Sequence, residues 1–293
     1  IVIANKKDDK GLIKIGNERV VEARLNDAEF FWNKDKSQNL VKKVSGLNSM
    51  NFFKGLGTYF DKVQRMRKLG AIISDELLIS KEKVELLASI CKTDLISDSV
   101  GEFPELQGIM GSHLSSVQGF DKDIVDAIKE QYLPIGLNSS VSKKPYSITI
   151  SLSDRIDTLV GFFGVNEKPS SSKDPYGLRR IALGIIRIII ENKKDLKIND
   201  LISYSSNIYL DQNFDFSNDK LQKDIVNFLK DRFRYYLKEK NIRHDIIEAA
   251  TKELDLNKIS TAYEKARSLN KIINKKIGED IISSYKRAFN ILS

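Results

Sequence analysis

The side chains able to do chemistry are few, and their spacing limits what that chemistry could be. Asp154 and Asp157 stand three residues apart in LSDRIDTLVGFFG, which puts both carboxylates on one helical face within reach of a single divalent cation. With Arg155 between them and no histidine nearby, such a pair is more often an exposed face or a cap paired with Arg155. Glu102 and Glu105 flank Phe103-Pro104. They could form an acid/base pair, but the first turn of a helix also favours Glu through its macrodipole. Gly55-Leu56-Gly57 lacks the third glycine of a dinucleotide fingerprint, since Phe60 stands there, and reads as a turn entering a helix. No glycine-rich phosphate loop followed by Lys-Ser/Thr occurs. Two histidines cannot build a His-rich metal centre: His113 reads as a helix-end residue, and His244, between Arg243 and Asp245, as a surface one. Cys91, the single cysteine, can form neither an internal disulfide nor a zinc cluster, which points to a reducing cytoplasmic setting. Catalysis within this chain is thereby disfavoured, and no metal or catalytic residue is assigned.

The basic residues are more informative. The net charge of +8 comes from 48 Lys/Arg against 40 Asp/Glu, and it is uneven. Residues 1–220 hold 32 basic and 30 acidic residues, whereas 221–293 hold 16 and 10. A basic terminal quarter on a near-neutral body suggests a polyanion partner, nucleic acid ahead of membrane because no lipid-anchor motif accompanies it. A lysine-rich solvated surface would give the same tally. Within that quarter, KDRFRYYLKEK (230–240) mixes guanidinium, ammonium and aromatic groups at helical spacing. Phe233, Tyr236 and Leu237 fall on the face that would enter a core, leaving Arg234, Tyr235 and Lys238 for phosphates and an unpaired base. The other reading is a packed helix whose long cations snorkel.

The elements that must carry these groups are mostly helical. Apolar residues recur at three- and four-residue steps in 19–33 (Val21, Leu25, Ala28, Trp32), 58–69 (Tyr59, Val63, Met66, Leu69), 81–98 (Val84, Leu87, Cys91, Leu95), 121–132 (Ile124, Ala127, Ile128) and 145–163 (Ile148, Leu152, Ile156, Leu159, Phe163). Strand signal is confined to Ile1–Ala4 and Leu12–Ile15 around a charged turn. Breaks fall at 133–142, at 166–175 (NEKPSSSKDP) and at 211–219. The fold class expected is all-α with a short β remnant at the N-terminus. At 293 residues, more than one domain is expected. The longest apolar run, 181–190, is interrupted by Arg187, so no membrane span is expected. The opening IVIANKKDDKG lacks Met and a signal-peptide pattern and reads as a cut inside a longer protein.

Eight segments in order resemble one family, the beta subunit of the bacterial two-subunit glycyl-tRNA synthetase: EARLNDAEFF (22–31), LGTYFDKVQR (56–65), KTDL (92–95), VGEFPELQGIMG (100–111), YLP (132–134), LSDRIDTLVGFFG (152–164), SKDPYGLRR (172–180) and DRFRYY (231–236). The resemblance implies a tail of a preceding domain (1–18), an HD-like helical domain (19–165), a linker and helical body (166–220) and part of a helical anticodon-binding domain (221–293). It implies that further domains precede this chain and that the last helices follow it. Active HD phosphohydrolases need His ligands, and LGTYFDKV and GEFPELQG have none. The HD-like domain is therefore expected to be catalytically silent, with only Asp154 or Asp157 surviving from that set.

What the resemblance implies functionally is a tRNA-binding and assembly part of a glycine–tRNA ligase, in the cytoplasm. Aminoacylation, ATP and Mg²⁺ are placed on a separate alpha subunit, so no cofactor is expected here, and an alpha2/beta2 heterotetramer is the implied assembly. Arg232, Arg234, Lys238, Lys240 and Arg243 are the expected phosphate contacts for tRNA-Gly, and Tyr235 the stacking residue. Lys173, Arg179 and Arg180 form a second expected patch. A metal-dependent HD-type phosphohydrolase and a protein-binding helical scaffold are the alternatives.

Overall fold

The computed structural model describes residues 2–292 apart from 215, 217, 253 and 274, without the side chains of 218, 219, 279, 286 and 292. The longer helices in chain order are α1 (Leu12–Lys36), α2 (Tyr59–Leu77), α3 (Lys81–Ile90), α4 (Ile109–Val117), α5 (Lys122–Glu130), α6 (Pro145–Gly164), α7 (Leu178–Asn192), α8 (Ile198–Asp211), α9 (Asn218–Glu239), α10 (His244–Lys252), α11 (Ile259–Ile273) and α12 (Lys276–Leu292). Short helical turns fill several of the connections.

Local sequence explains the helix ends. Thr58 and Asp61 form a reciprocal capping box on α2: the Asp61 N–H donates to Thr58 Oγ1 (3.2 Å) and the Thr58 N–H to Asp61 Oδ2 (2.7 Å). Gly55 and Gly57, at φ 84° and 76°, make the turn that enters it, as their spacing suggests. Asp121 caps α5, and Pro145 opens α6 at the position where its missing N–H costs nothing.

Helix α6 lies at the centre, against α2, α3, α5, α7, α8 and α9. Its stripe Leu152, Ile156, Leu159, Phe163 joins Ile185, Ile186 and Ile189 of α7, Leu201 and Tyr209 of α8, and Ile225, Leu229 and Phe233 of α9 in one apolar cluster reaching from Leu56 to Ala266. Each such Leu or Ile contributes roughly 1.5–3 kcal/mol by leaving water. A smaller cluster of Met66, Leu87, Cys91, Ile124, Ile128 and Ile150 lies toward α3 and α5. The expected boundaries at 165 and 220 both fall inside the larger cluster, so the segments on either side of them share a core.

Two expectations are corrected. Among the described residues there is no β-strand, only an isolated antiparallel bridge between Asn51 and Thr58. Residues 2–4 are irregular, Ile1 lies outside the described residues, and Leu12–Ile15 is the first turn of α1. The cause is the charged turn: Asp8 accepts the N–H groups of Ile13 (3.0 Å) and Lys14 (2.9 Å), capping a helix where a hairpin was expected. Helix α1 accordingly runs unbroken through the expected boundary at 18. Its apolar stripe is not buried as its period suggests: Val21 and Leu25 are 56% and 64% exposed. The helix is held at its middle, where Arg24 pairs with Glu102, and at its C-terminal end, where buried Asp35 accepts the N–H of Ser99 at 2.9 Å.

Candidate nucleic-acid interface

Asp154 and Asp157, expected on an exposed face beside Arg155, are turned inward, and every oxygen of the two carboxylates meets a cation. Lys62 Nζ lies 2.8 Å from Asp154 Oδ1 and 3.0 Å from Asp157 Oδ2. Lys92 Nζ is 2.6 Å from Asp154 Oδ2, and Arg65 Nε is 2.6 Å from Asp157 Oδ1. Helices α2 and α6 run side by side, so Lys62 and Arg65, at i and i+3, face Asp154 and Asp157 at the same step. The remaining donors are also placed: Lys62 to Thr158 Oγ1 (2.7 Å) and Arg65 Nη1 to Gln212 Oε1 (2.9 Å). Aromatic rings cover the cations: Phe52 over Lys62 (4.3 Å), Tyr209 over Arg65 (4.1 Å) and Tyr132 over Lys92 (4.2 Å). Burial alone would raise the Asp154 pKa, but Lys62 and Lys92 outweigh it and hold the carboxyl well below the usual range. Among the described residues no group of three or more His, Cys, Asp or Glu side chains could hold a metal. The other candidates for chemistry are equally engaged. Glu102 pairs with Arg24. Burial pushes the Cys91 thiol up to about 12, far from a reactive thiolate. His113 is exposed but lies within α4 rather than at its end, and His244 is exposed at the start of α10.

The basic terminal region is arranged differently. On α9, Phe233, Tyr236 and Leu237 are buried as their spacing requires. Arg232, Tyr235 and Lys238 follow one another at i, i+3 steps along the outer side. Tyr235 is 39% exposed, the Arg232 guanidinium stands 5.6 Å from its ring centre, and Arg232 Nε is buried without a hydrogen-bond partner. Lys238 and Lys240 are exposed and form no ion pair among the described residues; Lys240 leans over the Tyr236 ring at 5.3 Å. Arg234 is held by Asp231 (3.0 Å) and by Glu248 of α10 (3.2 Å), and also donates to Thr251. Arg243 grips Asp245, with Nε 2.9 Å from Oδ1. The six expected contacts of this region thus divide: Lys238, Lys240 and Tyr235 face solvent, Arg232 is half-buried beside the Tyr235 ring, and Arg234 and Arg243 already spend their guanidinium groups on acids.

The second patch sits where the 166–177 loop meets α7. Asp174 accepts the N–H groups of Leu178 (2.8 Å) and Arg179 (3.0 Å), fixing the loop to the helix start. Arg179 reaches back to the carbonyl of Ser170. Lys173 and Arg180 are exposed. Sequence reasoning missed the Lys62–Arg65–Lys92 set altogether. Its signal was present, since KVQR on one helix and SDRID on another both space charges three apart.

Fold and site together define a mainly helical protein in which the Asp154 and Asp157 carboxylates are locked into ion pairs while Lys238 and Lys240, among the described residues, stand exposed without one. Among the described residues no helix is long and apolar enough to cross a membrane. The glycyl-tRNA synthetase beta subunit family matches residues 1–252, and the chain belongs to that family. Similar proteins include glycine–tRNA ligase beta subunits from Rhodospirillum centenum (35% identical over 297 residues, 100% of this chain and 41% of the relative), Rickettsia canadensis (39% over 281 residues, 96% and 40%) and Acinetobacter baumannii (38% over 300 residues, 100% and 42%). The chain spans about two fifths of the length of these relatives.

Proposed function

We propose that this chain is a tRNA-holding and assembly part of a glycine–tRNA ligase beta subunit, supporting aminoacylation of tRNA-Gly carried out on a separate alpha subunit. Family membership supports the first half of that reading. The observation that supports tRNA holding is the outer side of α9, where half-buried Arg232 and exposed Lys238 and Lys240 flank the accessible Tyr235 ring. Such a row can neutralise phosphates and stack one unpaired base. In this reading ATP and Mg²⁺ belong to the alpha subunit, the assembly is an alpha2/beta2 heterotetramer in the cytoplasm, and the HD-like part of this chain, with Asp154 and Asp157 engaged by Lys62, Lys92 and Arg65, contributes architecture. The region from α9 onward is the anticodon-side module, and the chain before it joins that module to the rest of the subunit.

The test is a gel shift of the chain, alone and assembled with an alpha subunit, on tRNA-Gly and on an unrelated tRNA. Retardation of tRNA-Gly that weakens with added salt supports the reading. Equal or absent retardation of both tRNAs by the assembled protein would refute it and favour a scaffold that binds only protein.

A further inference from the structure

A cavity of about 670 Å³ opens between α5, the 132–135 loop and the start of α7, and shares none of its lining with the α9 strip. Its volume lies in the range of small-molecule sites, roughly 300–1,000 Å³. Arg155 lines it, and the guanidinium is fixed on two sides by neutral acceptors only. Nη2 donates to the carbonyls of Tyr132 (2.8 Å) and Pro134 (3.0 Å), and Nε donates to Ser151 Oγ (3.2 Å). The plane of the group lies against α7 at Gly184, where an added Cβ would come within 2.9 Å of Cζ and 3.0 Å of Nη1. Among the described residues Nη1 has no hydrogen-bond partner and Arg155 forms no ion pair. The nearby Asp154 carboxylate is already taken by Lys62 and Lys92.

A held but uncompensated guanidinium is costly unless an anion completes it. Burial without a counter-ion lowers the Arg155 pKa to about 10, which agrees with that geometry. The acids on the cavity wall do not supply the anion. Asp126 and Glu130 both engage Lys144, at 2.9 and 2.7 Å, and Glu105 is exposed at the rim. Arg180, exposed and forming no ion pair among the described residues, brings a second guanidinium to the same cavity, and Tyr176 lines it with a ring that is 38% exposed. Two guanidinium forks match the oxygens of a phosphate better than a single carboxylate, and an accessible ring beside them suits a base.

We propose that the cavity lined by Arg155 and Arg180 is an oxyanion site that takes a nucleotide phosphate. The phosphate can come from a free nucleotide or from a phosphodiester of bound RNA; only the second source rests on the tRNA reading above. The experiment is calorimetric titration of the 293-residue chain with AMP and with inorganic phosphate, followed by displacement of AMP by tRNA-Gly. Saturable AMP binding is expected, weakened at least about 10-fold in Arg155→Gln and about 3–10-fold in Arg180→Gln. Arg180→Gln sits on the surface and decides the matter if Arg155→Gln fails to fold by its thermal melt. Displacement of AMP by tRNA-Gly assigns the site to an RNA phosphate. Binding of tRNA-Gly without displacement assigns it to a free nucleotide. Should the chain bind AMP but no tRNA even when assembled with an alpha subunit, the tRNA reading falls and the phosphate site stands. Absence of saturable binding of either probe up to roughly 10 mM, or unchanged AMP affinity in a folded variant, overturns the proposal.

Discussion

The centre of α2 and α6 and the outer side of α9 are built from the same residue types, and burial gives them opposite characters. In the first, Lys62, Arg65 and Lys92 are buried and surround two carboxylates so closely that no acidic oxygen is left open. In the second, Lys238 and Lys240 stand in solvent with no acid among the described residues to hold them. A buried charge without its partner costs several kcal/mol, so the first set must be complete to exist. An exposed lysine is screened by water and remains open to a phosphate at little cost. The contrast shows that a count of basic residues cannot locate a nucleic-acid face; the count of basic residues still unpaired after folding can.

The sharpest way to break this comparison is to remove one acid from the centre. Asp157→Ala leaves buried Arg65 without its carboxylate and Lys62 with Asp154 alone, and stability should fall by about 3–5 kcal/mol, read from denaturant midpoints. A loss below about 1 kcal/mol would mean that the network is wetter and looser than its geometry indicates.

Acid should expose the same dependence without mutation. The Asp154 pKa is depressed in the folded chain, so its contribution is present above the unfolded value near 3.9 and is lost as pH falls toward the folded one. Thermal melts should therefore drop as pH is lowered from about 5 toward 2, and less steeply in Asp154→Asn. Identical acid profiles for the two proteins would contradict this.

On the α9 side the effects should appear in binding and leave folding almost untouched. Tyr235→Ala should weaken tRNA-Gly binding by about 1–3 kcal/mol at unchanged salt slope. A normal melting temperature with unchanged binding would make the ring a surface feature only. Arg234 gives the smallest expected effect, since Asp231 and Glu248 already occupy it. Arg234→Ala should cost under about 1 kcal/mol of stability and move the salt slope less than a free lysine does. A full-sized slope change would show that the arginine leaves its acids for RNA.

Much of this was readable beforehand, for reasons visible in particular residues. The 3.6-residue period in 58–69 and 145–163 marked α2 and α6 because their apolar faces really are buried. Leu12–Ile15 misled because four apolar-rich residues are too few to distinguish the two periods, and the Asp8 cap decided for helix. The stripe on α1 showed how the helix would form but not what would cover it. Asp154 and Asp157 were visible as a pair, yet their partners lie 62 to 95 positions away, as the Lys92–Asp154 and Lys62–Asp157 separations of 62 and 95 show. Only packing brings Lys62, Arg65 and Lys92 to them. The same limit applies to Arg234, which resembled a free cation until α10 folded Glu248 against it.

The most direct test is the salt dependence of tRNA-Gly binding by the chain assembled with an alpha subunit, compared with its Lys238→Ala, Lys240→Ala double variant. If these unpaired lysines meet RNA phosphates, the plot of log affinity against log salt should flatten by about 1.4–1.8, the share of two phosphate contacts, while the melting temperature stays within error. An unchanged slope in a folded double variant would contradict the account and place the RNA-facing cations elsewhere in the molecule.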